Sequence, residues 1–317
     1  MLDLKLIRSK PELIAENCRK RNVNVDIEKL LKLDEKVRQT TTEVDSFRQS
    51  RNDISNKMKG NLSAEERQPL IEESKQLRDQ EAEKESVLRE LTEQRLELLK
   101  QVPNLTHPDS PEGLTDEDNQ PIRKMGTIPE FDFEPKDHVE LMEALDLIDF
   151  DGGAKVSGQK FYFLKNQAVF LELALANYAL DLLQKEGFTV HMTPDLARHQ
   201  ILDGIGFNPR GEETQIYSVE DFDLCLIATA EITLGGLLVD QVLDPERLPI
   251  MYAGFSHCYR TEAGAAGRES RGLFRVHQFS KVEMFAFTHP DQSEGMHQKM
   301  LTLEEQIYQD LGIPYQV

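Results

Sequence analysis

FSHCYRTEAGAAGRESRGLFRVHQFSKVEMFAF, residues 255–287, decides the reading of this chain. Val, Phe, Tyr and Met at its two ends predict a pair of strands, and the small, charged stretch AGAAGRESRG between them predicts a hairpin loop. Residues two apart in a strand share a face, so Arg260 and Glu262 point one way, as do Arg275, Phe279 and Glu283. An antiparallel pair then converges two guanidinium groups, a ring and two carboxylates on one surface. That equipment suits a nucleotide: guanidinium for phosphate, ring for base, carboxylate for an amino group. Charges on alternate strand positions are usually a solvated sheet face, the favoured reading without more, and a lone Arg-x-Glu carries little. The spaced set of Arg-x-Glu, loop and Arg-x-x-x-Phe is far more specific.

This segment resembles motif 2 of the class II aminoacyl-tRNA synthetases, and YRTEAGAAGRESRGLFRVHQFSKVEMF is similar to the version in the seryl-tRNA synthetase family, of bacterial or organellar type. The resemblance implies roles residue by residue. Arg260 and Arg275 are the expected catalytic cations, Arg260 on the α-phosphate. Thr261, Glu262, Val276 and Phe279 complete the ATP-binding set, with Phe279 stacked on adenine. Expected substrates are ATP, with Mg2+ accompanying it, L-serine and tRNA(Ser); tRNA(Sec) is left open as a further acceptor. The implied reaction is formation of seryl-adenylate and transfer of serine to tRNA by a cytoplasmic homodimer. No metal site built from residues of this chain is expected, and neither is a membrane or DNA partner.

Bulk properties agree with two soluble domains. The chain has 317 residues, 39% hydrophobic and 30% charged, with a formal charge of −20. Such a charge excludes general adhesion to polyanions through a global field but leaves room for a local basic strip. Cys18, Cys225 and Cys258 form no C-x-x-C pair, so neither a zinc site nor a disulfide framework is indicated. No apolar run reaches the length of a membrane span, and the N-terminus lacks an apolar signal core.

The first third carries heptads. Leu30, Val37, Val44, Arg51 and Met58 form one track; Leu33, Thr40, Phe47 and Ile54 form the other. Gly60-Asn61 breaks the helix, and Ser63 with Glu66 is a capping-box signature for the next. Leu70, Leu77, Lys84, Leu91 and Leu98, with Leu88 and Val102, stripe that second helix. The expected element is an antiparallel coiled-coil hairpin over 27–102, within an N-terminal domain at 1–102. Arg51, Glu81, Lys84 and Arg95 interrupt the stripes and predict a hairpin that stands exposed. Composition alone favours a spacer or dimerisation rod. The resemblance implies instead an arm that grips tRNA, and Arg48, Arg51, Lys57 and Lys59 are candidate phosphate contacts near its tip.

Residues 103–130 read as a linker, rich in proline and acid: PNLTHPDSPEGLTDEDNQP at 103–121 is similar to the family's connector, although Met125 stands where many members carry Trp. The remainder, 131–317, is expected to be an α+β core: a sheet of class II synthetase type, antiparallel and flanked by helices. A strand is expected at 161–164; the helix at 166–185 and the strand at 188–192 closed by Pro194 resemble motif 1, the family's dimerisation element, with Asp195 where a second proline is frequent. In LCLIATAEITL, residues 224–234, an acid follows an apolar run. Thr229 and Glu231 read equally well as a helix cap or as functional groups beside a core. By resemblance, Thr229, Ala230 and Glu231 are the serine-binding triplet and Glu283 is a second serine-contacting carboxylate. The stretch resembling the family stops at Val317, before motif 3 and the usual metal-binding acid, so the resemblance implies an incomplete core. A polypeptide of 1–317 is expected to lack serine-dependent ATP–pyrophosphate exchange. Two other readings stand beside this one: a non-catalytic relative that binds tRNA through its arm, and a coiled-coil interaction protein with an unrelated α+β domain.

Overall fold

The structure is a computed structural model, described for residues 1–60, 63–113, 115–207, 215–262 and 272–317, the side chains of Ala64 and Asp116 excepted. Two compact units divide the chain, 1–120 and 121–317.

The first unit is helical. Helices α1 (Leu4–Ser9) and α2 (Pro11–Lys20) precede two long ones, α3 (Ile27–Met58) and α4 (Ala64–Gln101), of 32 and 38 residues. At 1.5 Å per residue these span about 48 and 57 Å. The heptad expectation holds: Leu30, Leu33, Val37, Val44 and Ile54 are buried along α3. Ser63 caps α4 through the expected box, its hydroxyl accepting from the Glu66 amide while the Glu66 carboxylate accepts from the Ser63 amide. The break expected at Gly60-Asn61 falls partly on residues outside those described.

The interrupting charges pair across the seam. Arg51 bonds Glu81, Arg48 reaches both Glu81 and Glu85, and Lys84 meets Glu43. Arg48 and Arg51 thus pair with acids of α4. Burial alone would lift the Glu81 carboxyl, but the Arg51 hydrogen bond is the larger effect and holds it low. At the base of the arm Ile7, Ile14, Cys18, Ile27, Leu30, Leu99 and Val102 form a core with α1 and α2. Beside it Asp34, 1% exposed, binds Arg8 (2.9 Å), Arg38 (3.2 Å) and Arg95 (2.9 Å). From the stretch read as linker, Asn104 and Thr106 clasp the buried Asn17 amide, and Glu112 pairs with Lys20.

The second unit builds on a three-stranded sheet, β4-β7-β8 in order. Strands β1 (Lys124–Met125), β2 (Ile148–Asp149) and β3 (Phe163–Leu164) precede β4 (Thr189–Met192), β5 (Leu196–Ala197), β6 (Cys225–Leu226), β7 (Ile250–Tyr259), β8 (Gln278–Phe287) and β9 (Tyr315–Gln316). The helices are α5 (His138–Ala144), α6 (Phe150–Ser157), α7 (Gln167–Lys185), α8 (His199–Ile205), α9 (Ala230–Gly236) and α10 (Ser293–Asp310). The hairpin strands expected around residues 255–287 are β7 and β8, antiparallel from Ile250↔Phe287 to Tyr259↔Gln278. The sheet is mixed, because β4 joins β7 in parallel. β1 pairs antiparallel with β9, so part of the stretch read as linker forms a ladder with the segment before Val317.

One face of the sheet holds Ala253, Met251, Val282 and Met284 against Leu183 of α7 and Leu303 and Met300 of α10. The helix expected at 166–185 is α7, and Gly187 ends it at φ +91°, where a side chain would be strained. On the opposite face α9 lies over Gly254. A Cβ there would sit 3.0 Å from the Ala230 Cβ and 2.9 Å from Leu234 Cδ1, so the missing side chain is what lets α9 approach.

Candidate active site

α9 begins at the centre of the molecule's second unit because Thr229 terminates the extended run after β6. Its hydroxyl accepts from the Glu231 amide at 3.2 Å, an N-cap. The same hydroxyl donates to Glu283 Oε2 at 2.7 Å. The cap reading of Thr229 holds, and the same hydroxyl fixes Glu283 in place. Glu283 stands opposite Gly254 in the ladder, the position where α9 crosses. Lys281, two residues earlier on the same face, also binds Glu283 Oε2. Burial raises the Glu231 carboxyl above its usual range, the neighbouring Glu283 charge raises it further, and Lys281 pulls it back. Ala230 is fully buried and serves packing.

Toward the open end of the hairpin the strand expectation needs correction. β7 ends at Tyr259 and β8 starts at Gln278, so Arg260, Glu262 and Arg275 lie in non-repetitive backbone, and Glu262 has φ +49°. Side-chain hydrogen bonds position them in place of pleat alternation. Gln215 Oε1 accepts from the Glu262 amide at 2.9 Å, and the Gln215 carbonyl accepts from Thr261 at 3.3 Å. Arg260 donates its amide to the His277 carbonyl at 3.0 Å, while His277 Nδ1 lies 2.8 Å from the Arg260 carbonyl and 3.0 Å from the Tyr217 hydroxyl.

The functional side chains do converge. The Arg260 guanidinium lies over the Phe279 ring, 5.1 Å from its centroid, a cation–π contact. Its Nε is buried and has no hydrogen-bond partner among the described residues. Arg275 pairs with Glu262 at 3.5 Å, and Val276 is buried beside them. A buried guanidinium nitrogen left unsatisfied costs free energy that a hydrogen-bond acceptor would recover. Along one face of β8 the order is Phe279 beneath Arg260, then Lys281, then Glu283. The Arg260–Phe279 contact and the Glu231–Glu283 pair thus lie along the same face of β8. Of the expected loop at 264–272, only Gly272 is among the described residues. It turns at φ +87° against His138 of α5, whose Nε2 accepts from the Leu273 amide at 3.2 Å.

Sequence reasoning missed Gly254, Gln215, Tyr217, His277 and Lys281. Gln215 and Tyr217 lie too far along the chain for spacing to reveal them. Lys281 was visible, alternating with Phe279 and Glu283 on one strand. Asp195, the departure from a frequent proline, pairs with His257 of β7 at 3.1 Å.

A mixed sheet carrying an Arg-x-Glu, Arg-x-x-x-Phe hairpin, with a capped helix opposite, is the site of a class II synthetase core. The family model "tRNA synthetase class II core domain (G, H, P, S and T)" matches residues 217–317, and the "Seryl-tRNA synthetase N-terminal domain" model matches 1–106. The serine--tRNA ligase of Treponema denticola is 49% identical, and that of Rubrobacter xylanophilus 52%, over 317 residues; each alignment covers 100% of this chain and 75% of the relative. Among solved structures, seryl-tRNA synthetase from Pyrococcus horikoshii complexed with ATP aligns with a TM-score of 0.86 at 37% identity, covering 100% of this chain and 76% of the other. The cytoplasmic serine-tRNA ligase of Naegleria fowleri in complex with AMP gives 0.81 at 30%, covering 100% and 74%. The chain belongs to the seryl-tRNA synthetase family.

Proposed function

We propose that the protein is a serine--tRNA ligase that activates L-serine with ATP and passes it to tRNA(Ser). The serine carboxylate attacks the α-phosphorus, the bond to the β-phosphate oxygen breaks, and pyrophosphate leaves with that electron pair. Little proton transfer is needed, so the protein contributes position and charge. Arg260 takes the α-phosphate, where charge grows in the transition state, and Phe279 stacks the adenine. Arg275, Glu262, Thr261 and Val276 frame the nucleotide. Glu231 and Glu283 accept the ammonium and hydroxyl of serine, with Thr229 and Ala230 shaping the pocket. A pocket that hydrogen-bonds a hydroxyl rejects alanine, since its own polar groups would be left unpaired.

The observation that carries this reading is the buried Nε of Arg260 above Phe279, without a hydrogen-bond partner among the described residues, on the same face of β8 as Glu283. Magnesium would arrive with the nucleotide. The described residues gather no cluster of three His, Cys, Asp or Glu side chains that could hold it, and no step is assigned to it.

The helical arm is assigned to tRNA, and α7 with β4 to a homodimer interface. Phe170 (72% exposed), Leu171 (60%) and Met192 (83%) support the second assignment as apolar surface that a partner copy would cover. No helix among the described residues is long and apolar enough to cross a membrane, and a cytoplasmic location suits the reaction.

The test is incorporation of labelled pyrophosphate into ATP by the full-length protein. Exchange should require L-serine and fall to background with alanine or threonine. Exchange that ignores serine, or is absent, overturns the reading.

A further inference from the structure

Lys281 has no part in the reaction as described above, yet it sits between the two halves of the site. It follows Phe279 and precedes Glu283 on one face of β8, with Ser256 of β7 directly opposite. Its ammonium binds Glu283 Oε2, the oxygen that also accepts from Thr229. Both protein donors therefore converge on one oxygen, and among the described residues no hydrogen bond is made to Glu283 Oε1. Among the described residues, the charged side chains that act on Glu231 across the α9–β8 contact are Glu283 and Lys281. The Lys281 and Glu283 side chains are 30% and 22% exposed, enough to meet a ligand without being free in solvent.

Two carboxylates facing one another in a half-buried pocket repel, and one tends to take up a proton. A protonated acid is a poor acceptor for an ammonium group. A single lysine bound to one of the pair leaves the pocket with one net negative charge, the complement of one substrate ammonium. We propose that Lys281 is a positioning residue for the amino-acid pocket: by holding Glu283 through Oε2 it sets one positive charge beside the Glu231–Glu283 pair, so that the pocket complements an ammonium, and leaves Oε1 to accept from a hydroxyl. The inference rests on the serine-ligase reading. It adds a specificity role for a residue that acts through two carboxylates and makes no bond to the reacting atoms.

The sign of its pH dependence follows from geometry and charge. Removing the cation raises the already elevated Glu231 carboxyl further, so serine binding is lost at a higher pH than in the native protein. The experiment measures serine-dependent pyrophosphate exchange by full-length native protein, Lys281→Met, Lys281→Gln and Lys281→Arg across a range of pH. Folding is checked by circular dichroism. The neutral variants should raise the KM for serine about 10- to 100-fold, the loss expected for a charged hydrogen bond in a part-buried pocket. The KM for ATP and kcat should stay within about threefold, and the acid limb of kcat/KM for serine should move to higher pH. Lys281→Arg should restore most of the native serine KM.

An unchanged serine KM and acid limb in Lys281→Met would overturn the proposal. So would a fall in kcat at constant KM, which would place Lys281 on the reacting groups. If Lys281→Met fails to fold, Lys281→Gln against Lys281→Arg decides by the same two readouts. Native protein with no serine dependence would sink the ligase reading itself, whereas active native protein with indifferent variants sinks only the role of Lys281.

Discussion

Thr229 carries two hydrogen bonds that belong to different jobs, a helix cap toward Glu231 and an acid-positioning contact toward Glu283. The double use explains how a seven-residue helix can present a substrate-facing acid with little freedom. Arg260 shows the complementary situation, a donor held in place by His277 and Phe279 with one nitrogen left over. A contact that strengthens as charge develops acts on the rate constant more than on ground-state binding. Arg260→Ala in the full-length protein should therefore lower kcat for exchange about 100- to 1000-fold with a smaller change in KM for ATP. Phe279→Ala should raise the KM for ATP about tenfold or more, the scale of a lost base–ring stack, and spare kcat. Steady-state exchange at varied ATP separates the two. Near-native exchange by Arg260→Ala would remove the phosphate role.

The long hairpin α3–α4 is an element whose apolar stripes are too thin to hold it by burial alone. Paired charges fill the gaps, Arg51 with Glu81 and Lys84 with Glu43, so seam positions that look like defects in the heptad are matched across helices. The exposed Lys84–Glu43 pair contributes little singly. Asp34 is different, since it is buried and shared by three arginines from α1, α3 and α4. Burial raises its carboxyl, but hydrogen bonds and charge from Arg8 and Arg95 outweigh that and hold it below the usual range. Its stabilisation is thus fully present above the unfolded carboxylate pKa of about 4 and is lost as pH falls through the lower folded value. Asp34→Asn should cost the isolated unit 1–120 about 2–3 kcal/mol at neutral pH, because it removes the charge partner of the part-buried Arg8 and Arg95. The mutant should also lose the native protein's extra sensitivity below about pH 4. Urea unfolding followed by helical circular dichroism checks both; a difference under about 0.5 kcal/mol would mean that the apolar base alone sets the arm.

At the scale of the whole molecule, contacts cluster within 1–120 and within 121–317, and every site residue named above belongs to the second unit. The activation chemistry and the arm then occupy separable parts of the chain. Replacing residues 30–98 with a short Gly-Ser connector keeps α1, α2 and the linker residues in the protein. The variant should retain serine-dependent pyrophosphate exchange within about threefold while tRNA(Ser) charging falls by more than about tenfold, a loss exceeding 1.4 kcal/mol of binding. Filter-bound aminoacylation measured beside exchange makes the comparison. Loss of both activities together would show that the arm supports the adenylation site.

Heptads, a capping box at Ser63, and the alternating strands around residues 255–287 lie within short windows of chain, where local periodicity is the physical signal. For that reason the arm, the hairpin and the set Arg260, Glu262, Arg275, Phe279 and Glu283 could be read from order and spacing. The resemblance added Thr229, Ala230 and Glu231 as substrate contacts, a choice that composition left even. Tertiary structure decided what depends on distant partners: Gln215 and His277 hold Arg260 and Glu262 where the strands have ended. It joined β1 to β9 out of a stretch that looks like linker, and it turned Arg48 and Arg51 inward to Glu81. It also let α9 close on Gly254, bringing Glu231 within reach of Lys281 and Glu283. Local sequence determines which residues repeat along one element, whereas the charge in a pocket is a sum over elements brought together only by folding.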